Sequence, residues 1–584
     1  MSTGNSGGFF SFLLKENIVA KPGFNRWLVP PASIGIHLCI GSVYAWSLFN
    51  LPLSNHIGVV APAADDWALK SVGYTFSVAI VCLGLAAAFG GKWLEEVGPR
   101  MVGVVAAVLW GGGFIVGSVG IYLHQLWLVY LGYGVFGGFG LGLGYVSPVS
   151  TLIRWFPDRR GMATGMAIMG FGGGAMIAKP IKTSLLAHYA EKPDYLGPEV
   201  GEGAVKTITE NSRVFVEQAG EKIEVVIATA KQAAALPGGG DAGVYVVGSG
   251  DTGAAATFLT LGLIYFVVMI VAAFSYRVPP KDWKPDGWTP KPDAGKSMIT
   301  KENVHIDEAL KTPQFWQLWV MLCFNVTAGI GVIGVAKTMV SEIFGSNEVL
   351  IGMATTSTLV ALFFLNYVVM LSAFNMVGRF LWASTSDFIG RKNTYFCFFV
   401  LGAILYSSIP YFALEASANP STVIYFAGFC IATMIIFTMY GGGFATIPAY
   451  LADIFGTMHV GGIHGRLLTA WSTAGVLGPV SILQLRDFSR LNAINDLVSK
   501  IDPQAFLDKF GAPVEQLEQL VSAKTVTIAR LMEIVPAGTI DPTPSLYNTT
   551  MYAMAGLLVI AFFANLFMKP VDKIHHFKGD PSKQ

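Results

Sequence analysis

The chain of 584 residues is much more apolar than a soluble protein, because 53% of its residues are hydrophobic and only 13% are charged. Soluble domains carry about one quarter charged residues. The net charge of +1 gives no reason to expect nucleic acid as a partner. The five cysteines all lie within apolar runs, which argues against a disulfide framework. Composition therefore excludes a soluble or nucleic-acid-binding protein and favours one embedded in a lipid bilayer.

Apolar runs long enough to cross a bilayer, about 20 residues each, recur along the chain from Trp27 to Met568. They predict an all-α membrane protein with twelve transmembrane helices. The first six helices are predicted at residues 28–50, 71–90, 101–122, 126–149, 161–183 and 254–276. The second six are predicted at residues 314–336, 356–385, 393–412, 422–450, 464–485 and 548–568.

The distribution of basic residues predicts the orientation and the domain order. One side of the membrane collects the short-loop cations Lys92, Arg100, Arg154, Arg159, Arg160, Arg391, Lys392 and Arg466. The positive-inside rule places that side in the cytoplasm. The predicted order is a cytoplasmic N-terminus (1–27), a six-helix bundle (28–276), a cytoplasmic linker (277–313), a second bundle (314–568) and a cytoplasmic C-terminus (569–584). A plasma membrane, specifically a bacterial inner membrane, is the expected location.

The two halves resemble copies of each other. An acid, a glycine and a basic residue follow the second helix of each half, and we interpret these loops as conformational switches. Their residues are Gly91, Glu95, Gly98 and Arg100 in the first half and Asp387, Gly390 and Arg391 in the second. Repeated six-helix halves are typical of carriers that rock around a central site.

Each half carries one long outward insertion, at about residues 188–253 and 486–547. The second contains helix-like stretches from Val514 to Ser522 and from Thr525 to Ile534. The insertions either pack together as a cap over the outer entrance or form two independent loops, and the pattern leaves both open.

Arg379 is the outstanding polar residue of the apolar segments. It precedes Asp387 by eight residues, which raises it about 12 Å along a helix from the cytoplasmic end. Asp and Glu occur only at the ends of the predicted spans. A buried arginine needs an anionic partner, and a guanidinium binds a carboxylate through two parallel hydrogen bonds. We therefore expect a substrate anion there, with a guanidinium that reaches the lipid headgroups as the alternative.

Other polar and aromatic residues within the spans allow a structural and a functional interpretation. Lys179 and Lys337 are interpreted as anchors at the outer interface. His37 could relay protons or could simply be a hydrogen-bonded helix contact. Tyr44, Tyr145, Tyr440 and Phe444 could line a pocket or only pack. The sequence shows no metal-ligand cluster, nucleophile elbow or P-loop, so neither a cofactor nor an enzymatic activity is expected.

The duplicated hairpins resemble the signature of the major facilitator superfamily, whose fold is two pseudo-symmetric six-helix bundles. The residues from Tyr44 to Ser47, from Asn375 to Arg379 and from Gly465 to Pro479 resemble the oxalate:formate antiporter family. The resemblance covers both membrane halves but neither insertion. It implies a substrate site at Arg379, Tyr44, Tyr440 and Phe444, and we add Trp471, Tyr145 and Asn375 as candidate substrate-binding residues. Oxalate-carrying members have a lysine at the position of Trp471.

This chain lacks that lysine, which favours a monocarboxylate, because one buried cation neutralises one carboxylate. Related proton-coupled carriers have an aspartate at the position of Asn375, which makes proton coupling through that residue doubtful. Anion exchange, or protons carried by His37 or by the substrate, stay open. The first hypothesis is therefore a secondary carrier of a small organic monocarboxylate, such as formate, lactate, pyruvate or acetate. The carrier is expected to be a monomer. The alternatives are an oxalate:formate-type antiporter and an anion sensor that transports little.

Overall fold

The computed structural model describes residues 11–199, 203–210, 213–218, 220–234, 236, 238–281, 283–289, 298–300, 302–344, 347–364, 366–419, 421–522 and 526–577. Twelve long helices correspond to the twelve predicted spans. The first six are α1 (Arg26–Ser54), α2 (Leu69–Val97), α3 (Pro99–Tyr122), α4 (Leu126–Trp155), α5 (Arg160–Tyr189) and α6 (Ala254–Ser275). The second six are α7 (Pro313–Phe344), α8 (Tyr367–Ile389), α9 (Arg391–Ala418), α10 (Val423–Phe455), α11 (Val460–Val498) and α12 (Asn548–Leu566).

By length and composition, eleven helices in the described part of the chain, all of the above except α7, could cross a membrane. The predicted helical membrane fold is confirmed, with differences at the helix ends. The span predicted at 356–385 begins later, because Glu348–Thr356 and Thr358–Phe364 form separate short helices before α8. The hydroxyls of Thr355 and Thr356 bond to carbonyl oxygens of the preceding turn, and such bonds compete with the helical ladder.

The two switch hairpins have the same backbone conformation. A single glycine separates α2 from α3 and α8 from α9, with φ +91° and ψ 169° at Gly98 and φ +85° and ψ 150° at Gly390. Glycine adopts a positive φ without the strain that a Cβ would cause. The sequence repeat is thus also a repeat of local structure.

The chain divides into two compact units. The first comprises Met1–Thr312, Pro448–Ser472 and Pro570–Gln584, and the second comprises Pro313–Ile447 and Thr473–Lys569. The first unit therefore includes the start of α11 in addition to α1–α6. The predicted division into bundles at 28–276 and 314–568 stays a prediction.

The first insertion contains a five-stranded antiparallel sheet that the sequence pattern did not predict. Its strands are β1 (Tyr195–Gly197), β2 (Thr207–Glu210), β3 (Arg213–Gln218), β4 (Glu221–Ala228) and β5 (Gly243–Val246), in the spatial order β1-β5-β4-β3-β2. The loop after α1 covers one part of this sheet, where Val60 and Ala61 pack against Val226 and Tyr245. The all-α description therefore holds for the membrane body and not for this insertion.

The second insertion is helical. The helix α11 continues beyond the predicted end at residue 485, and the short helices Pro503–Phe510, Leu517–Ser522 and Ile528–Met532 follow it. The two predicted helix-like stretches thus contain helices, although residues 523–525 lie outside the described part. The packing of the two insertions into one cap stays a prediction.

The stretch between α6 and α7 packs within the first unit against the turn between α10 and α11. The backbone N–H of Val304 donates to the carbonyl of Phe455 at 2.9 Å. The ring of His459 lies 5.1 Å from that of His305 and 5.8 Å from that of Phe577, measured between centroids. Burial, together with the nearby basic groups His305, Arg154 and Lys15, lowers the pKa of His459 to about 4.

Candidate functional site

Arg379 lies in the middle of α8 within the second unit, and its side chain is 0% exposed. Its Nε donates a hydrogen bond of 3.2 Å to Oδ1 of Asn375, one turn earlier on the same helix. Its guanidinium carbon lies 5.2 Å from the centroid of the Phe444 ring on α10. The guanidinium therefore meets a neutral amide and an aromatic face inside the protein, which does not fit the alternative of a side chain that reaches the lipid headgroups.

Two glycines allow α8 and α10 to approach closely at this point. A Cβ on Gly441 would lie 2.2 Å from the backbone oxygen of Asn375, and one on Gly378 would lie 2.2 Å from that of Thr438. Small residues at helix interfaces permit such backbone approach. The indole N–H of Trp382 also donates to the hydroxyl of Thr438 at 3.0 Å. The glycines thus place Arg379 against α10.

Phe444, the α10 residue that lies over Arg379, packs against a second buried aromatic residue of α10, Tyr440. The Tyr440 and Phe444 rings pack edge to face, with centroids 5.5 Å apart and an angle of 88° between their planes. Both side chains are almost fully buried. Asn375, Arg379, Tyr440 and Phe444, four of the predicted substrate residues, therefore form one group, which we name the guanidinium cluster.

The other predicted substrate residues lie in the first unit, in a group that we name the aromatic cluster: Tyr44, Tyr145, Phe171 and Trp471. The Trp471 ring centroid is 5.2 Å from those of both Tyr145 and Phe171, and 6.5 Å from that of Tyr44. Tyr44 packs edge to face on Phe171 at 5.2 Å. The sequence analysis missed Phe171, although its place within the glycine-rich run of α5 singles out a large side chain among small ones.

His37 connects three helices of the first unit. Its Nδ1 lies 2.6 Å from the carbonyl oxygen of Ala167 on α5, and its Nε2 lies 3.3 Å from that of Tyr145 on α4. The side chain is fully buried. This geometry supports the interpretation of His37 as a hydrogen-bonded helix contact, and the proton relay stays a prediction.

The acids of the two switch hairpins have different partners. The Glu95 carboxylate pairs with Arg154 and accepts a 3.0 Å hydrogen bond from the backbone N–H of Gly461. Asp387 pairs with Arg391, which follows it by one turn, at 2.6 Å. Close packing also explains Gly91, since a Cβ there would lie 2.7 Å from the oxygen of Gly461.

Arg100, the basic residue of the first hairpin, donates to three backbone carbonyls. The acceptors are the oxygens of Phe12, Phe274 and Tyr276, at 3.0, 3.1 and 3.1 Å. The first hairpin thus attaches to neighbouring segments of its own unit, whereas the ion pair of the second lies across its own turn. The switch function of both hairpins stays a prediction.

Lys182 on α5 is a second buried cation, and the sequence analysis missed it. It is 0% exposed. The spacing could have revealed it, because the buried residues Phe171, Gly174 and Ala178 lead along one helix face to position 182. Lys179, the predicted anchor one turn earlier, is exposed. The side chain of Lys337, the other predicted anchor, lies outside the described part.

The chemistry available at these two clusters suits an organic anion. In the described part of the chain, no group of three or more His, Cys, Asp or Glu side chains is placed to hold a metal ion. A guanidinium binds a carboxylate through paired hydrogen bonds, and aromatic faces contact apolar atoms.

This chain is similar to several known proteins. Residues 34–191 match the family model described as Major Facilitator Superfamily. The chain is 24% identical over 461 residues to the oxalate:formate antiporter of Oxalobacter formigenes, which covers 78% of this chain and 83% of that protein. It is 23% identical over 452 residues to the uncharacterised MFS-type transporter YhjX of Escherichia coli strain K12, which covers 77% of this chain and 86% of that protein. It is also 22% identical over 497 residues to apicoplast pyruvate carrier 1 of Toxoplasma gondii, with coverage of 74% and 78%.

Proposed function

We propose that the chain is a member of the Major Facilitator Superfamily, whose family model matches residues 34–191, and that it is a secondary carrier of small organic monocarboxylates. In this proposal the carrier works by alternating access, and Arg379 binds the carboxylate. The observation that carries the proposal is the complete burial of that guanidinium beside Asn375 and under Phe444. A buried charge is costly in a membrane protein and is a functional-site hypothesis by default.

Phe444, which lies over the guanidinium, and Tyr440, which packs against Phe444, are proposed to contact the rest of the substrate. The resemblance assigns Tyr44 and Trp471 to the substrate site, and Tyr145 and Phe171 pack against them. Rings of this kind favour a small substrate with one charged end and one apolar end.

The preference for a monocarboxylate rests on the charges of Arg379 and Lys182, which are both 0% exposed. A dianion held by one guanidinium would keep one uncompensated charge in a low-dielectric environment. Lys182 does not change this argument, since its ammonium donates to backbone carbonyls of α1. Position 471, where oxalate carriers of the resembled family have a lysine, is occupied by Trp471.

Anion exchange is the proposed coupling mechanism. Asn375 occupies the position at which proton-coupled relatives have an aspartate, and an amide does not take up a proton near neutral pH. The second candidate function is oxalate:formate-type exchange, and the similarity to the antiporter of Oxalobacter formigenes favours it. Both functions place the carrier in a plasma membrane, which we propose is a bacterial inner membrane, as a monomer with both termini in the cytoplasm.

Counterflow in proteoliposomes tests the proposal. Vesicles containing the purified protein and a high internal concentration of unlabelled formate should take up labelled formate transiently, without a pH gradient. Acetate, lactate and pyruvate should compete more strongly than oxalate at equal concentration. Stronger competition by oxalate would support the second candidate function. Binding of the anions without any counterflow would indicate a sensor and would contradict both carrier functions.

A further inference from the structure

The helix α1 is interrupted where it carries Tyr44. Residues Ser42–Phe49 form a 3-10 helix, and within it Ala45 has φ −97° and ψ 25°, outside the helical region. We name these residues the α1 break. Backbone carbonyls beside a helix interruption need other donors when they are buried. A partner for the carbonyl groups of the α1 break is therefore expected from a neighbouring element.

Lys182 supplies that partner. Its Nζ donates to the carbonyl oxygen of Ser42 at 2.9 Å and to that of Ala45 at 3.3 Å. The same Nζ lies 4.8 Å from the centroid of the Phe49 ring, within the range of a cation–π interaction. An ammonium group has three donors, and these three contacts all belong to the α1 break.

The α1 break is also held by a second contact with α5. Tyr44, between the two carbonyls that Lys182 binds, packs edge to face on Phe171 with ring centroids 5.2 Å apart. Phe171 precedes Lys182 on α5 by eleven residues, which is about 16 Å along the helix. One helix therefore fixes the backbone on either side of Tyr44 through Lys182 and the Tyr44 ring through Phe171.

We propose that Lys182 is a positioning residue for the substrate site: it holds the α1 break in the conformation that presents Tyr44. The inference rests on the proposed function, because it gives Tyr44 a role in substrate binding. Lys182 itself binds main chain and not substrate. Its loss should therefore free the α1 break and weaken substrate binding, whereas a purely stabilising lysine would change only the amount of folded protein.

The test compares two lysine substitutions on the same helix. Lys182→Met removes the buried ammonium, and Lys179→Met removes an exposed one three residues earlier. Hydrogen–deuterium exchange of peptides that cover residues 42–49 reports the α1 break without any substrate. Formate counterflow reports the half-saturation concentration and the maximal rate separately.

Lys182→Met should accelerate amide exchange in residues 42–49 and raise the half-saturation concentration about tenfold, equivalent to about 1.4 kcal/mol. The maximal rate should change less. Lys179→Met should change neither readout. Lys182→Arg, which keeps the charge and the donors, should restore part of the affinity. If Lys182→Met does not fold, Lys182→Gln takes its place, because the glutamine amide can still bind one carbonyl.

Unchanged exchange in residues 42–49 in the Met or Gln variant would overturn the inference. So would faster exchange with an unchanged half-saturation concentration, since the α1 break would then not position the substrate. Failure of the proposed function gives a different result, because the wild-type protein itself would then show no counterflow. The exchange measurement would still decide whether Lys182 holds the α1 break.

Discussion

Two buried cations, Arg379 on α8 and Lys182 on α5, are both 0% exposed but have different surroundings. Lys182 donates to two carbonyls and faces one ring, all within the α1 break. Arg379 lies beside the amide of Asn375 and the ring of Phe444. The difference teaches that burial of a charge does not by itself mark a substrate ligand. The contacts of the two cations differ: Lys182 has main-chain carbonyls of the α1 break, and Arg379 has a side-chain amide and an aromatic ring.

The position of Arg379 depends on the close approach of α8 and α10, which can be disrupted directly. Gly441→Ala would place a Cβ 2.2 Å from the backbone oxygen of Asn375 and 3.0 Å from Cγ of Arg379. Overpacking of this kind typically costs about 1 to 3 kcal/mol. We expect the affinity for formate in counterflow to fall at least tenfold, because the guanidinium is displaced.

Gly352→Ala is the matched control, since a Cβ there meets nothing within 4 Å. It should leave affinity unchanged. Wild-type affinity in a folded Gly441→Ala variant would contradict the assignment of Arg379 to the site.

A lysine at position 471 tests whether a further buried positive charge changes the preference between monocarboxylates and oxalate. Trp471→Lys gives the chain the lysine that oxalate carriers of the resembled family have at this position. The competition of oxalate relative to formate should rise severalfold, as the resemblance to the oxalate carriers implies. Trp471→Met, which removes the ring without adding charge, should not show this rise. An equal rise in both variants would attribute the change to space and not to charge.

Another buried base, His459, shows what happens when burial neutralises a group. Its pKa is lowered to about 4 from the ordinary value of 6.5. Between these two values the unfolded chain binds more protons than the folded chain, so stability is complete above pH 6.5 and falls as the pH falls. Thermal unfolding at pH 7 and 5.5 should show a loss of about 1 kcal/mol. His459→Gln should reduce this loss, and an equal loss in that variant would contradict the assignment.

Much of the membrane body could be predicted from the sequence, because each long apolar run must form a helix to satisfy its backbone in lipid. The start of α8 could not, since its apolar run continues through the threonine-rich turn that interrupts it. The sheet of the first insertion was also missed. Its strands are short, and its packing partners Val60 and Ala61 lie far away in the chain, in the loop after α1.

The same contrast holds for the candidate site. Arg379 stands out in the sequence, because an arginine far from a helix end needs a specific reason. Lys182 does not stand out, because it follows Lys179 near the outer end of α5, and only the packing of the helix shows that one is buried and the other exposed. The grouping of Trp471 with Tyr44 and Phe171 depends on tertiary packing that no local pattern encodes.

The most direct measurement is the thermal stabilisation of purified protein by a panel of carboxylates, in the wild type and in Arg379→Gln. Ligands that bind the folded state raise its apparent stability by mass action. A monocarboxylate should stabilise the wild type and also Trp382→Phe, a control that removes the nearby hydrogen bond to Thr438 and part of the ring. It should not stabilise folded Arg379→Gln. Equal stabilisation of Arg379→Gln and the wild type would contradict the account.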